Sequence, residues 1–439
     1  MDVVITDDPP QDISGMVLLS VDTEGRLFYF DAVPPQLDQG ASNATPPDWS
    51  QLFKEAGLNF ADFQQTPSQW TPRSAYDERV AWNGTYPGVP DFPIRIEAAS
   101  YQGLPVYFEI VSPWRRPEAQ VPYQPTAANL AGTIVLLTFF FAILITGAWL
   151  ALKNIRAGRG DRRGAFRIAS FLFALRMFYW VIAKHHVADT EEFLLLLTGL
   201  QSALFWACFV GLMYLALEPF LRRRWPERVI SWSRLLAGDF RDPLVGRDIL
   251  IGALLGCACM ILTNLSDLAP RWLGQPPNIP NVMINSDDAT LHGIRGFLPL
   301  FINQVSASLV QGFIIVFLLL FLTMLLRKNI LGLIAGWLLL ATVFTLATAG
   351  GKSFVSWPFH IGVATLLVVA AARFGPIALV STLVFTHLRV FFPITTELAT
   401  WYAGDFVLDL IFLLALAFFG FYTSLAGQPL FSGGLLKED

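Results

Sequence analysis

From residue 129 onward the chain alternates long apolar runs with short polar stretches, a pattern unlike the mixed surface of a soluble fold. The runs lie near 129–152, 166–185, 193–217, 249–268, 297–326, 330–349, 358–372, 374–394 and 405–424. Most approach the roughly 20 residues that an α-helix needs to cross a hydrocarbon core. Arg373, Gly375 and Pro376 interrupt the seventh and eighth runs, which read either as two spans or as one broken helix.

Before residue 116 the period changes. Gly15–Val21 and Arg26–Val33 are strand-like runs on either side of Asp22-Thr23-Glu24-Gly25. Ile94–Ser100 and Pro105–Val111 flank Tyr101-Gln102-Gly103 in the same way. Both are hairpin signals. Between them Asp48 is placed to cap a short helix that stops at Gly57, with Trp49, Phe53, Trp70 and Trp82 as candidate core. The expected fold is therefore an α-helical polytopic membrane protein of about nine spans with a small N-terminal α/β extracytoplasmic domain. The domain occupies residues 1–116, a proline-rich linker 117–128, the bundle 129–424 and a tail 425–439.

Composition agrees. The 439 residues are 54% hydrophobic and 15% charged, with 37 Phe and 13 Trp, whereas a soluble domain averages about 25% charged. Charge also separates the two halves. Residues 1–128 carry 17 acids and 7 bases, and the remainder 17 acids and 23 bases. Basic residues concentrate in alternate loops: Lys153 to Arg163, seven arginines between 218 and 248, Arg327-Lys328, Arg373 and Lys437. The other loops hold Arg271, Arg295, Lys352 and Arg389. The positive-inside rule then places the N-terminal domain outside and the C-terminus in the cytoplasm of a bacterial inner membrane. A domain so acidic, without a signal peptide, is hard to export by the first span alone. The chain is expected to be the C-terminal part of a longer protein with a further span upstream.

Enzymatic chemistry is sparse. Cys208, Cys257 and Cys259 all lie in apolar runs and read as small buried hydrophobes. Gly350-Gly351-Lys352-Ser353 resembles the end of a phosphate loop, but Leu346 stands where the first glycine belongs. His185-His186 with Glu191-Glu192 fits no recognised metal spacing. No catalytic residue, metal, cofactor or nucleic-acid partner is expected. Polar residues at membrane depth stand out: Arg176 in the second run, Asn303, Gln304 and Gln311 in the fifth, and Asp405 and Asp409 four apart in the last. Charge in hydrocarbon is expensive, so an inward-facing Arg176–Asp409 pair is the expectation, with a polar transport pathway as the alternative use of these groups.

The most distinctive stretch is the loop 218–248. Val229, Trp232, Leu235 and Leu236 recur at helical spacing, which predicts an amphipathic helix on the membrane surface. Arg222, Arg223, Arg224, Arg228, Arg234, Arg241 and Arg247 would face anionic lipids at the cytoplasmic side, or a docked partner domain. Three parts of this loop carry a resemblance: Glu218-Pro219 with Arg222-Arg223-Arg224-Trp225-Pro226, Ile230 to Gly238, and Arg241 to Asp248. Ser14-Gly15-Met16, Gly25-Arg26-Leu27, Val33 to Gln36, Asp48-Trp49, Ala56-Gly57-Leu58 and Ser424 to Phe431 add to it. Together they resemble the membrane region that follows the catalytic domain in acidobacterial-type bacterial serine/threonine protein kinases. The resemblance implies a sensor or anchor module with a kinase domain in cis or in trans. It carries over no active-site residue, because the sequence has no glycine-rich nucleotide loop and no VAIK, HRD or DFG motif.

Overall fold

A computed structural model describes residues 11–22, 24–37, 47–87, 89–115, 127–184, 186, 188, 190–275, 294–348, 354–392, 395–400 and 403–428. The chain divides into two compact units, Val3–Leu130 and Ala131–Asp439.

The first unit is built on six strands: β1 (Val17–Val21), β2 (Leu27–Ala32), β3 (Gln64–Thr66), β4 (Glu78–Tyr86), β5 (Val89–Tyr101) and β6 (Leu104–Val111). They form one sheet in the order β1-β2-β6-β5-β4-β3, and every neighbouring pair is antiparallel. This corrects the α/β expectation to an antiparallel sheet carrying one short helix, α1 (Trp49–Glu55). In the β1–β2, β4–β5 and β5–β6 hairpins the short turn allows only antiparallel pairing, since a parallel pair needs a long crossover. Asp48 caps α1 by accepting from the Ser50 amide at 3.1 Å, and Gly57 ends it at φ 69°. Phe53 is fully buried against Phe60, Phe63, Trp82 and Phe108. Trp70 is not part of this core. It is half-buried, and its carbonyl accepts from Ser68 and Arg79 instead.

Among the described residues, the opposite face of the sheet holds three buried carboxylates, and each is hydrogen-bonded. Asp31 accepts from Ser74 at 2.8 Å and from Tyr29 at 3.2 Å. Glu97 accepts from Ser68, from the Gln69 amide and from Arg95. Glu109 accepts from Tyr107 and from Arg115 at 3.1 Å. Burial, with Glu109 beside it, pushes the Tyr107 phenol well above its ordinary range, so it stays a donor.

The second unit is helical: α2 (Ala127–Arg156), α3 (Arg162–Ala183), α4 (Glu191–Arg224), α5 (Ile230–Ala237), α6 (Pro243–Trp272), α7 (Ile294–Leu325), α8 (Asn329–Thr348), α9 (Trp357–Val369), α10 (Pro376–Phe391) and α11 (Ala403–Ser424). Among the described residues, seven helices are long and apolar enough to cross a membrane. They lie in α2, α3, α4, α6, α7, the Phe354–Phe374 stretch that contains α9, and α11. Two further apolar stretches, Asn329–Thr345 and Pro376–Leu388, are shorter. The protein is thus a multi-pass membrane protein. The linker residues 116–126, the phosphate-loop-like stretch around 349–353 and the tail beyond 428 lie outside the described residues.

Helix α6 is the hub. An added Cβ on Gly252 would come within 2.7 Å of the Ala378 carbonyl, and one on Gly256 within 3.0 Å of the Thr382 carbonyl. Glycines four apart let α6 and α10 approach backbone to backbone, which drives helix association in lipid where the hydrophobic effect does not. These contacts also fix direction. Gly252 meets Ala378 and Ser381 while Gly256 meets Thr382 and Phe385, so α10 runs with α6. Helix α9 runs against it, because Leu262 meets Gly362 and the Ser266 carbonyl accepts from Ser356. The seventh and eighth apolar runs are therefore two oppositely directed helices, not one broken helix. A π-helical turn (Ala370–Phe374) and Gly375 at φ 106° make the reversal, and Pro376 starts α10.

Candidate functional site

The arginine-rich loop is a folded platform. Helix α5 ends at Gly238 in the left-handed conformation, and Asp242 caps α6 by accepting from the Leu244 amide at 2.9 Å. The apolar stripe of α5 is turned into the bundle: Val229 and Trp232 are buried, and the Trp232 ring meets Phe313 of α7 edge-on at 5.5 Å. This corrects the expectation of a helix resting on the lipid surface. A protein groove satisfies the same amphipathic pattern, and here it also supplies polar anchors. Ser231 donates to the buried carboxylate of Asp248 at 2.6 Å. Arg167 of α3 donates to the Leu236 carbonyl at 2.7 Å, covering an end carbonyl of α5.

The seven loop arginines divide accordingly. Arg222 pairs with the buried Glu218, Arg234 with Asp242 and Arg247 with Asp248. Arg224 donates to the side chain of Asn329. Arg228 lies over the Trp225 ring at 5.1 Å, and its backbone carbonyl packs against Gly375, where an added Cβ would sit 2.4 Å away. Arg223 and Arg241 are exposed. Five of the seven thus have a partner in the helical unit, a division invisible in the arginine pattern, although four of those five, Arg222, Arg224, Arg234 and Arg247, are exposed as well. Beneath it lies a cavity of about 20 Å³, lined in part by Tyr214, Glu218, Trp232, Phe313 and Pro376. That is room for about one water molecule.

The expected Arg176–Asp409 pair does not form. Arg176 of α3 donates to Ser306 of α7 at 2.9 Å and to Ser202 of α4 at 3.4 Å, and lies over the Trp206 ring at 5.6 Å. Asp405 and Asp409 are both buried on α11, which packs mainly on α6. The Oδ1 atom of Asp409 has no hydrogen-bond partner among the described residues. Spacing along one helix placed the two aspartates on a common face, but it could not say which helix that face meets. Of the polar residues on α7, Gln304 is buried and Ser308 contacts the His387 ring nitrogen of α10 at 2.9 Å.

Other candidates are plainer. Cys259 is buried as expected, whereas Cys208 and Cys257 are exposed on the bundle. Among the described residues no group of His, Cys, Asp or Glu could hold a metal ion. His186 contacts Glu192 at 2.5 Å, so its imidazole is held above its ordinary range by that hydrogen bond. The chain matches no protein-family model, no curated protein and no solved structure.

Proposed function

We propose that this chain is a membrane-embedded sensor and anchor module of a serine/threonine protein kinase signalling protein. In that role the sheet domain lies outside the cytoplasm, nine helices cross the bilayer, and the arginine platform faces the cytoplasm. The observation that supports it best is the fixed attachment of the platform to several helices at once. Ser231–Asp248, Arg167–Leu236 and Trp232–Phe313 tie it to α6, α3 and α7. Any shift between these helices must move the platform, which is what relaying a signal to an adjoining domain requires. Its exposed Arg223 and Arg241 suit anionic head groups.

The test is to size the endogenous polypeptide in native membranes with an antibody against residues 12–116. A band larger by a whole domain supports a kinase in cis. A band near 48.8 kDa leaves only a kinase in trans, which must then co-purify with this chain for the proposal to stand.

A transporter is the second reading, favoured by the buried, unpartnered oxygen of Asp409. Ion or solute flux in proteoliposomes that is abolished by Asp409→Asn would establish it. A sensor module gives no flux.

A further inference from the structure

We propose that Arg176, Ser202 and Ser306 form an oxyanion site where α3, α4 and α7 meet, taking a carboxylate or phosphate group. The site is independent of the kinase-linked proposal.

The argument starts from charge. Arg176 lies about 10 Å along α3 from its end at Ala183, well inside the apolar stretch. A guanidinium stays charged in any protein environment and offers five N–H donors. Among the described residues it has no carboxylate partner, and its hydrogen-bond acceptors are two serine hydroxyls. A cation at this depth without an anion is costly, and such residues mark ligand sites when no protein partner neutralises them.

The serines supply a second, separate observation. Other hydroxyls of α4 and α7 return their protons to their own backbone: Thr198 to Leu194, Ser308 to Gln304 and Thr323 to Leu320. Ser202 and Ser306 accept from Arg176, and neither hydroxyl proton has an acceptor among the described residues. Ser306 is 1% exposed, so water does not supply one freely. Donors from α3, α4 and α7 thus converge without an acceptor. The guanidinium reaches α7 and α4 through two different nitrogens. A planar fork with added hydroxyl donors matches a carboxylate or phosphate.

That group can arrive on a lipid or free in solution, and two arms separate the sources. The full chain in phosphatidylcholine nanodiscs doped with phosphatidylglycerol is assayed for retained anionic lipid by native mass spectrometry. The full chain in neutral detergent is titrated with inorganic phosphate and with acetate, following thermal stabilisation. Binding is expected in at least one arm, weakened about tenfold or more by Arg176→Gln. Ser202→Ala with Ser306→Ala should weaken it while leaving the charge, which keeps the test alive if Arg176→Gln does not fold. Arg223→Gln with Arg241→Gln should leave it unchanged. No binding in either arm, or binding that follows the loop arginines instead, overturns the proposal.

Discussion

Ser231 of the arginine platform donates a 2.6 Å hydrogen bond to Asp248 of α6, and Asp248 is 1% exposed. The bond joins a surface loop to the hub helix of the bundle through a buried carboxylate that Arg247 also contacts. Removing one partner leaves the other buried and short of a bond, which costs about 1–3 kcal/mol. Ser231→Ala and Asp248→Asn should each lower thermal stability, and the double variant should lose less than their sum. Additive losses in that cycle would show the two residues to be uncoupled.

Gly375 brings the α9–α10 turn into close approach with the platform. An alanine there meets the Arg228 carbonyl at 2.4 Å and inherits a φ of 106°. Positive φ alone costs a non-glycine residue about 1–3 kcal/mol. Gly375→Ala is expected to destabilise the protein by at least that and to speed hydrogen exchange across Arg228–Ala237. Unchanged exchange there would mean that the turn and the platform move independently.

The sheet domain rests on Phe53. It is fully buried and meets four aromatic rings edge-on. Phe53→Ala should destabilise the domain by about 3–5 kcal/mol, the usual cost of emptying an aromatic core site. Limited proteolysis of the full chain reads this out, with cleavage rising within residues 47–115 and the bundle remaining intact.

His186 predicts a pH effect of definite sign. Its hydrogen bond to Glu192 raises the imidazole above its ordinary 6.5. A group raised in the folded state contributes its stabilisation fully below the unfolded value and loses it as pH rises through the folded value. Histidine NMR should show a His186 midpoint above 6.5 that falls toward 6.5 in Glu192→Gln. A midpoint at or below 6.5 in the parent protein would contradict the contact.

Much of the architecture was legible in the sequence because the bilayer imposes long one-dimensional patterns. The apolar runs became helices, the Asp48 cap and the Gly57 stop held, and both hairpins formed around the expected turns. The strands β3 and β4 were missed. Their residues alternate weakly, and they become strands by pairing outward from β5, a neighbour brought in from beyond a turn. Trp70 was misplaced because hydrophobicity says that a residue is buried somewhere, without saying in which layer.

The sequence by itself determined that this is a multi-pass membrane protein with a separate small domain and an arginine-rich loop. Those properties depend on local composition and period. Only the tertiary structure decided that the amphipathic α5 docks on protein, that five of seven arginines find partners within the helical unit, that α9 and α10 run in opposite directions, and that Arg176 meets Ser202 and Ser306 instead of Asp409. Each of these depends on which helix faces which. In lipid every apolar face is equally content, so close-packed glycines and scattered polar contacts select the arrangement, and their partners lie tens of residues away.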